Sequence, residues 1–275
     1  DSPERKLLVN AFSPAAYAPP GYLLFNREGT LMAQPFDAKR LELTGEAVPI
    51  AEDVQFNPPN GRTAFSVSQN GVLAYHTGTG GVRSQLVWFD RSGKQVSVLG
   101  DPAAYADVML SADGKQASVS ILDPARNTRD IWVYEVARGL KSRFTFDPAD
   151  EFSAVWSPDG SRLVFDSRRK GHMDLYQKAS DGSGTEEVLL ENNLDKNPAD
   201  WSADGRFILY VSSGGPTGND LFVLPLFGDR KPVPFVNTQF SETPGGFSPD
   251  GRWVAYASTE SGRAEVYVAP FPGRG

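Results

Sequence analysis

The sequence predicts an all-β protein, a six-bladed β-propeller of four-stranded antiparallel blades. Three observations lead to this prediction: a repeat of about 45 residues, short β-rich runs between turn signals, and no helix-length apolar stripe. The repeat is anchored on turns in which Asp or Asn precedes Gly, and these glycines lie 43, 46, 45 and 46 residues apart. The anchoring pairs are Asn70-Gly71, Asp113-Gly114, Asp159-Gly160, Asp204-Gly205 and Asp250-Gly251.

Each repeat unit is interpreted as four strands in a constant order. A short, mildly apolar segment precedes the turn, and a β-rich run such as Arg162–Phe165 follows it. A polar loop leads to a third strand that opens with an acid, as in Asp174-Leu175-Tyr176. A second turn leads to a fourth strand such as Glu187–Leu190. Four strands within a period of this length are typical of a propeller blade.

The first and last units predict how the propeller closes. The last unit has three strands and stops near Pro270, whereas Lys6–Val9 is a strand with no hairpin partner ahead of it. Because unpaired edge strands are adhesive, residues 5–11 are predicted to complete the last blade, although both ends could instead be cut edges of a longer array. The chain is thus interpreted as one domain, 1–275, with blades at about 12–54, 60–100, 104–147, 150–192, 195–238 and 241–271 plus 5–11.

Composition excludes several classes of protein. A hydrophobic share of 40% in 275 residues is enough for a real core, and no apolar run approaches the ~18 residues of a membrane helix. The absence of Cys excludes a disulfide framework, thiolate metal sites and cysteine nucleophiles. A net charge of −7 argues against nucleic acid as a partner. Because Asp1 opens the chain, we expect a piece of a longer protein.

The best-formed repeat carries a family resemblance. The stretch Trp156–Arg168, with its Ser-Pro-Asp-Gly turn, followed by Asp174-Leu175-Tyr176, resembles the WD-like repeat of TolB-type β-propellers. Five blades match this pattern between residues 62 and 270. The segments Tyr17–Phe25 and Leu31–Asp37 are also similar to propeller regions attached to bacterial membrane-anchored serine/threonine kinases. The resemblance implies a location in the periplasm or otherwise outside the cytoplasm, and a protein or envelope component as partner.

The sequence predicts no catalytic residue and no bound metal or cofactor. The two histidines, His76 and His172, lie in predicted loops and are interpreted as exposed loop residues. The run Asp200–Gly205 has the spacing that opens an EF-hand loop, but its twelfth position is Val211 instead of glutamate. A turn is therefore the favoured interpretation, while a cation in the central channel stays open.

The candidate binding surface is the mouth of the central channel. The loops before the first strand and between the second and third strands of each blade emerge there, and we hypothesise an acidic mouth ringed by basic outer loops. Ordinary solvated loops are the alternative. The residues assigned to this mouth are Arg62, Asp107, Asp150, Glu151, Asp195, Lys196, Glu242, Arg168, Arg169 and His172.

The leading functional prediction is a non-catalytic module for protein–protein interaction or ligand sensing. It would act as a monomer within a larger bacterial envelope or signalling protein, without nucleic acid and without inserting into a membrane. Two alternatives stay open. One is the substrate-gating propeller of a prolyl-oligopeptidase-type peptidase, and the other is a propeller lyase or glycosidase that uses channel carboxylates.

Overall fold

A computed structural model describes residues 6–9, 11, 15–54, 56–57, 62–69, 71–75, 83–90 and 93–272, and it describes only the backbone at 6, 56, 57, 62 and 63. Within these residues the chain forms β-strands and no helix, so no helix there could cross a membrane. The predicted turn residue Asn70 and loop residue His76 lie outside the described residues.

The strands follow one another in chain order. The first is β1 (Lys6–Val9). The first blade contains β2 (Ala16–Ala18), β3 (Tyr22–Arg27), β4 (Thr30–Asp37), β5 (Glu42–Leu43) and β6 (Val48–Ala51). A hairpin of β7 (Phe56–Asn57) and β8 (Arg62–Thr63) follows it. The second blade contains β9 (Phe65–Val67), β10 (Leu73–Tyr75), β11 (Ser84–Phe89) and β12 (Gln95–Ala103).

The remaining four blades have the regular four-strand spacing. The third contains β13 (Tyr105–Leu110), β14 (Gln116–Asp123), β15 (Thr128–Glu135) and β16 (Leu140–Arg143). The fourth contains β17 (Glu151–Trp156), β18 (Arg162–Ser167), β19 (Asp174–Ala179) and β20 (Glu187–Leu190). The fifth contains β21 (Asp195–Trp201), β22 (Phe207–Gly215), β23 (Gly218–Pro225) and β24 (Val233–Val236). The last contains β25 (Glu242–Phe247), β26 (Trp253–Ser258) and β27 (Glu265–Pro270).

The strand order confirms the predicted fold. Consecutive strands are neighbours in each blade, except that β6 of the first blade pairs with β4. Strand β1 pairs antiparallel with β27, where Lys6 lies opposite Val268 and Leu7 opposite Tyr267. The protein is therefore a six-bladed β-propeller whose N-terminal strand completes the last blade. Two features fall outside the predicted repeat: β5, which pairs with the end of β4, and the β7–β8 hairpin.

The turn between β17 and β18 shows why the repeat carries Ser, Asp and Gly. Gly160 has a φ of +71°, and its N–H donates to the Ser157 carbonyl over 2.8 Å. The Asp159 Oδ1 accepts from Ser157 Oγ at 2.6 Å and from the Ser161 N–H at 3.0 Å. Equivalent backbone bonds close the turns at residues 68–71, 111–114, 202–205 and 248–251. Each of these turns thus forms hydrogen bonds to its own backbone groups and reverses the chain direction within four residues.

We expect Asp159→Ala to lower the free energy of unfolding by about 1 kcal/mol at neutral pH, because it removes several hydrogen bonds from an exposed turn. Those bonds, first from Ser157 and then from Ser161, lower the pKa of Asp159 to about 2. The contribution is therefore complete above the ordinary pKa of 3.8 and is lost as the pH falls toward 2. Urea unfolding at about pH 7 and pH 2.5 tests this, with Asp159→Asn, which keeps an acceptor oxygen, as the control. An equal loss at both pH values would contradict the assignment.

The chain forms two compact units, residues 1–63 with 199–275, and residues 64–198. In the second of these, Phe165 packs edge-on against Phe144 and stacks with Tyr176 in a core shared by blades three and four. In the first, Tyr256 stacks with Tyr267. These buried aromatic layers hold the strand ends, and hence the loops, in place.

Candidate functional site

Three predicted site residues meet at one end of blade four and are here named the loop cluster: Arg168, His172 and Asp195. The first two lie in the loop between β18 and β19, and Asp195 opens β21. The Arg168 Nη2 is 3.8 Å from Asp195 Oδ2, and the His172 Nδ1 is 3.6 Å from Asp195 Oδ1. Their side chains are 37–50% exposed. The cluster is therefore open to a partner.

Backbone bonds hold the loop cluster in one geometry. The Met173 N–H donates to Asp195 Oδ1 over 2.9 Å, and the Lys196 N–H donates to the Met173 carbonyl over 2.8 Å. One blade earlier, Asp150 Oδ1 accepts the Arg129 N–H in the same manner, over 2.8 Å. Asp150 and Asp195 thus each bind the start of the third strand of the blade before them, Asp150 at Arg129 within β15 and Asp195 at Met173 just before β19. Because the loop is already held in place, it would lose less conformational entropy when it binds a partner.

Three other residues assigned to the channel mouth lie in the interior. Glu151, Lys196 and Glu242 are each 0% exposed. Glu151 accepts from Ser167 Oγ at 2.9 Å, and Glu242 accepts from Thr238 Oγ1 at 2.6 Å. The assignment of these three charges to an exposed mouth is therefore corrected: each lies where an innermost strand is covered by its neighbours, which charge alone does not reveal.

Lys196 forms a buried ion pair with the acid that opens the third strand of blade four. Its Nζ lies 2.8 Å from Asp174 Oδ1 and donates to the carbonyls of Met173, Asn192 and Leu194. In blade three, the equivalent Asp130 is bound by Arg143 Nη2 over 2.6 Å. The third-strand acids of these two blades therefore have a structural role as partners of cations.

Arg169 is also withdrawn from the surface. It hydrogen-bonds Glu186 and Glu151, and its guanidinium lies 4.2 Å above the ring of Tyr176. Burial alone would lower the pKa of Arg169, but Glu186 and Glu151 hold it above its ordinary value. Burial raises the pKa of Glu151 to about 7, against the lowering effects of Ser167 and Arg169. These residues form a charge network around the Arg169 guanidinium, and the Arg169 side chain is 17% exposed.

A chain of polar contacts joins the innermost strands of three blades. The Ser153 Oγ donates to Asp107 Oδ2 at 3.3 Å, and the Ser153 N–H donates to Asp166 Oδ1 at 2.6 Å. The Asn197 Nδ2 then donates to Asp166 Oδ2 at 2.6 Å. Sequence reasoning missed Ser153, Asp166 and Asn197. The sequence feature that could have indicated Asp166 is its position as an acid in an otherwise apolar strand, directly after Val164 and Phe165.

An aromatic side chain that the sequence did not single out is exposed in blade three's connection to blade four. Phe146, in the connection from β16 to β17, is 63% exposed. Its ring lies 5.2 Å from the Arg143 guanidinium and 5.6 Å from Lys178 Nζ. An exposed aromatic ring positioned by cations is a typical anchor at a protein interface.

The remaining predicted positions add no catalytic or metal centre. Arg62 lies on β8, and its side chain is outside the description. Asp200 accepts the Phe247 N–H at 2.7 Å, and Asp204 accepts from Ser202 Oγ at 2.6 Å. Residues 200–205 thus end a strand and form a turn. Among the described residues, no three His, Asp or Glu side chains converge in a way that could hold a metal ion.

The fold and the loop cluster define a β-propeller that presents ordered, charged loops at the ends of its blades. The family model described as the TolB beta propeller domain matches residues 106–274. The chain therefore belongs to the TolB β-propeller domain family.

Three known proteins illustrate the similarity. The Tol-Pal system protein TolB of Wolinella succinogenes is 30% identical over 103 residues, which are 38% of this chain and 24% of that protein. The uncharacterized peptidase YuxL of Bacillus subtilis is 29% identical over 128 residues, 39% of this chain and 19% of that protein. The crystal structure of TolB from Acinetobacter baumannii superposes with a TM-score of 0.69 at 18% identity, covering 98% of this chain and 64% of that one. The chain thus spans about a quarter or less of the two curated relatives.

Proposed function

We propose that this chain is a non-catalytic interaction module that binds a protein or an envelope component outside the bacterial cytoplasm. The loop cluster carries the proposal, because its charged side chains are exposed and yet held by backbone bonds. Exposed Phe146 belongs to the same compact unit and adds an apolar anchor. Membership of the TolB family, and the similarity to a Tol-Pal system protein, support this role and location.

The chemistry of the acids favours binding over hydrolysis. A glycosidase needs two carboxyl groups facing one substrate, at least one of them with a raised pKa. Burial raises the pKa of Glu151 to about 7 and that of Asp200 to about 6. Glu151 is inaccessible and bonded to Ser167, and Asp200 accepts the Phe247 N–H. Both side chains are engaged by their own chain, which supports structural roles.

A second candidate is the propeller of a larger peptidase. The similarity to the uncharacterized peptidase YuxL supports it, and in that case the loops would filter substrates for a catalytic domain elsewhere. Sequencing the complete gene separates the two candidates. A serine hydrolase domain with a GxSxG motif beside this propeller favours the peptidase, and a membrane anchor with a signalling domain favours the interaction module.

We expect Arg168→Glu combined with His172→Ala to weaken retention of an envelope protein by at least roughly tenfold, because both changes alter the loop cluster. The measurement is quantitative pull-down of envelope extract by the immobilised protein, followed by titration of the retained protein.

The matched control is Arg138→Glu, which makes the same charge change in the turn between β15 and β16. Arg138 is also exposed, and its guanidinium pairs with Glu135 at 3.3 Å. That turn lies at the blade end opposite to the β18–β19 type of loop, so binding should be unchanged. Equal losses in both variants, or no loss in either, would rule out the loop cluster as the contact.

A further inference from the structure

The ammonium group of Lys196 lies between the two segments that carry the loop cluster. One segment is the β18–β19 loop, which ends at Met173, and the other is the connection from β20 to β21, which contains Asn192 and Leu194. The ammonium donates to the Met173 carbonyl over 3.3 Å, to the Asn192 carbonyl over 3.2 Å and to the Leu194 carbonyl. One buried side chain thus joins two segments that are separated in the chain by β19 and β20.

The residues of the loop cluster lie directly beside these contacts. Arg168 and His172 precede Met173 in the first segment, and Asp195 directly follows the second. The Met173 carbonyl accepts from both the backbone N–H and the Nζ of Lys196, over 2.8 Å and 3.3 Å. The Met173 N–H donates to Asp195 Oδ1 over 2.9 Å. The separation between the two cations and the carboxylate of the cluster therefore depends on this junction.

Neutralisation of Asp174 does not by itself require a lysine at this position. In blade three, the equivalent Asp130 is paired with Arg143 of its own blade, with 2.6 Å between Oδ1 and Nη2. The residue that corresponds to Lys196 on the next innermost strand is there a carboxylate, Glu151. A lysine on the following innermost strand is thus a feature of the junction between blades four and five, where it also reaches the loop carbonyls.

We propose that Lys196 is a positioning residue for the loop cluster, because its ammonium holds the two segments at the separation that a partner recognises. Its effect on binding rests on the proposed function, whereas its effect on the loops can be measured without a partner. Lys196 is 0% exposed, so its bonds form away from water, where hydrogen bonds are electrostatically stronger. Loss of these bonds would raise the entropic cost of binding, although Lys196 cannot touch the partner itself.

Amide hydrogen exchange tests the positioning role in the absence of a partner. The reporters are the N–H groups of Met173 and Asn192, whose acceptors are acids at this junction. We expect Lys196→Met to accelerate their exchange at least roughly tenfold more than that of Ser111, a hydrogen-bonded amide in the turn of blade three. In the wild type, both reporters should exchange far more slowly than amides of an unstructured peptide. Unprotected reporters there would overturn the proposal even if Lys196→Met does not fold.

A second variant separates positioning from charge balance. Adding Asp174→Asn to Lys196→Met removes the stranded carboxylate and should recover part of the stability, but it returns no donor to the loop carbonyls. We therefore expect the Met173 amide to remain fast in the double variant. The protein retained from envelope extract should still bind at least roughly tenfold more weakly than to the wild type. Recovery of loop protection and binding together with stability would show that Lys196 only balances Asp174, and would overturn the proposal.

Leu163→Ala is the matched control for a general loss of stability. Leu163 is 0% exposed and lies near the start of β18, at the end of blade four away from the loop cluster. Its reporters should keep their exchange rates relative to Ser111, and its binding should be unchanged. Effects as large as those of Lys196→Met would contradict a positioning role. Loosened loops in Lys196→Met, with full binding by the variant that combines Arg168→Glu and His172→Ala, would support the positioning role and refute the loop cluster as the contact.

Discussion

Replacement of Lys196 by methionine is expected to lower the free energy of unfolding by about 3–5 kcal/mol, because it leaves a buried carboxylate without its cation. The ammonium group is 0% exposed and lies 2.8 Å from Asp174 Oδ1. It also donates to the carbonyls of Asn192 and Leu194, which would lose this donor. Urea unfolding at neutral pH measures the loss.

Two further variants make the test of Lys196 specific. Lys170→Met removes a cation from an exposed pair, in which Nζ lies 2.6 Å from Glu191 Oε2, and should lower the free energy of unfolding far less than Lys196→Met, because solvent screens the exposed pair. Adding Asp174→Asn to Lys196→Met removes the stranded charge and should recover part of the loss. If Lys196→Met costs no more than Lys170→Met, the buried pair does not stabilise the fold.

The second large effect concerns the pH dependence of stability through Glu151. Burial raises its pKa in the folded protein from 4.5 to about 7. The folded state therefore binds more protons than the unfolded state between these values, and the contribution of Glu151 to stability falls as the pH rises from about 4.5 through 7. A pKa shift of this size corresponds to a change of at most about 3 kcal/mol in the free energy of unfolding.

The Glu151→Gln variant keeps the shape of the side chain but cannot ionise. We expect its free energy of unfolding to decline less than that of the wild type between about pH 5 and pH 8, by up to about 3 kcal/mol. Denaturant unfolding across this range gives both curves. Glu191→Gln, a change at a half-exposed acid, is the control and should follow the wild type. Parallel curves for Glu151→Gln and wild type would show that Glu151 does not titrate in this window.

Local chemistry explains which parts of the fold could be predicted from sequence. The run Ser157–Gly160 predicts its turn because the donors, the acceptor and the positive-φ glycine all lie within four residues. The pairing of β1 with β27 follows from an orphan strand at one end and an incomplete blade at the other. In both cases the determining residues can be identified without knowing the packing.

The candidate site could be predicted only in part, because burial depends on residues far apart in the chain. Asp195 and Lys196 are adjacent and both charged, yet the first is partly exposed and the second is enclosed. Adjacent strand residues point to opposite sides, and Lys196 is on the side where Asp174 of the preceding blade pairs with it. Phe146 was missed for the converse reason: an apolar residue is expected inside, and the sequence does not show that neighbouring cations hold its ring at the surface.

The role of Asp150 and Asp195 has a consequence for how such a chain can be divided. Asp150 immediately precedes β17 and Asp195 opens β21, yet each accepts a backbone N–H from the blade before it, from Arg129 in β15 and from Met173 just before β19. A segment that includes both partners of this hydrogen bond therefore does not coincide with one blade. It extends to the acid at the start of the next blade. A deletion or duplication cut just before Asp195 would separate the Met173 N–H from its acceptor, whereas a cut after Lys196 would keep both Asp195 and Lys196 with their partners in the preceding blade. The segment that keeps these hydrogen bonds when it is deleted or duplicated therefore has different boundaries from a four-stranded blade.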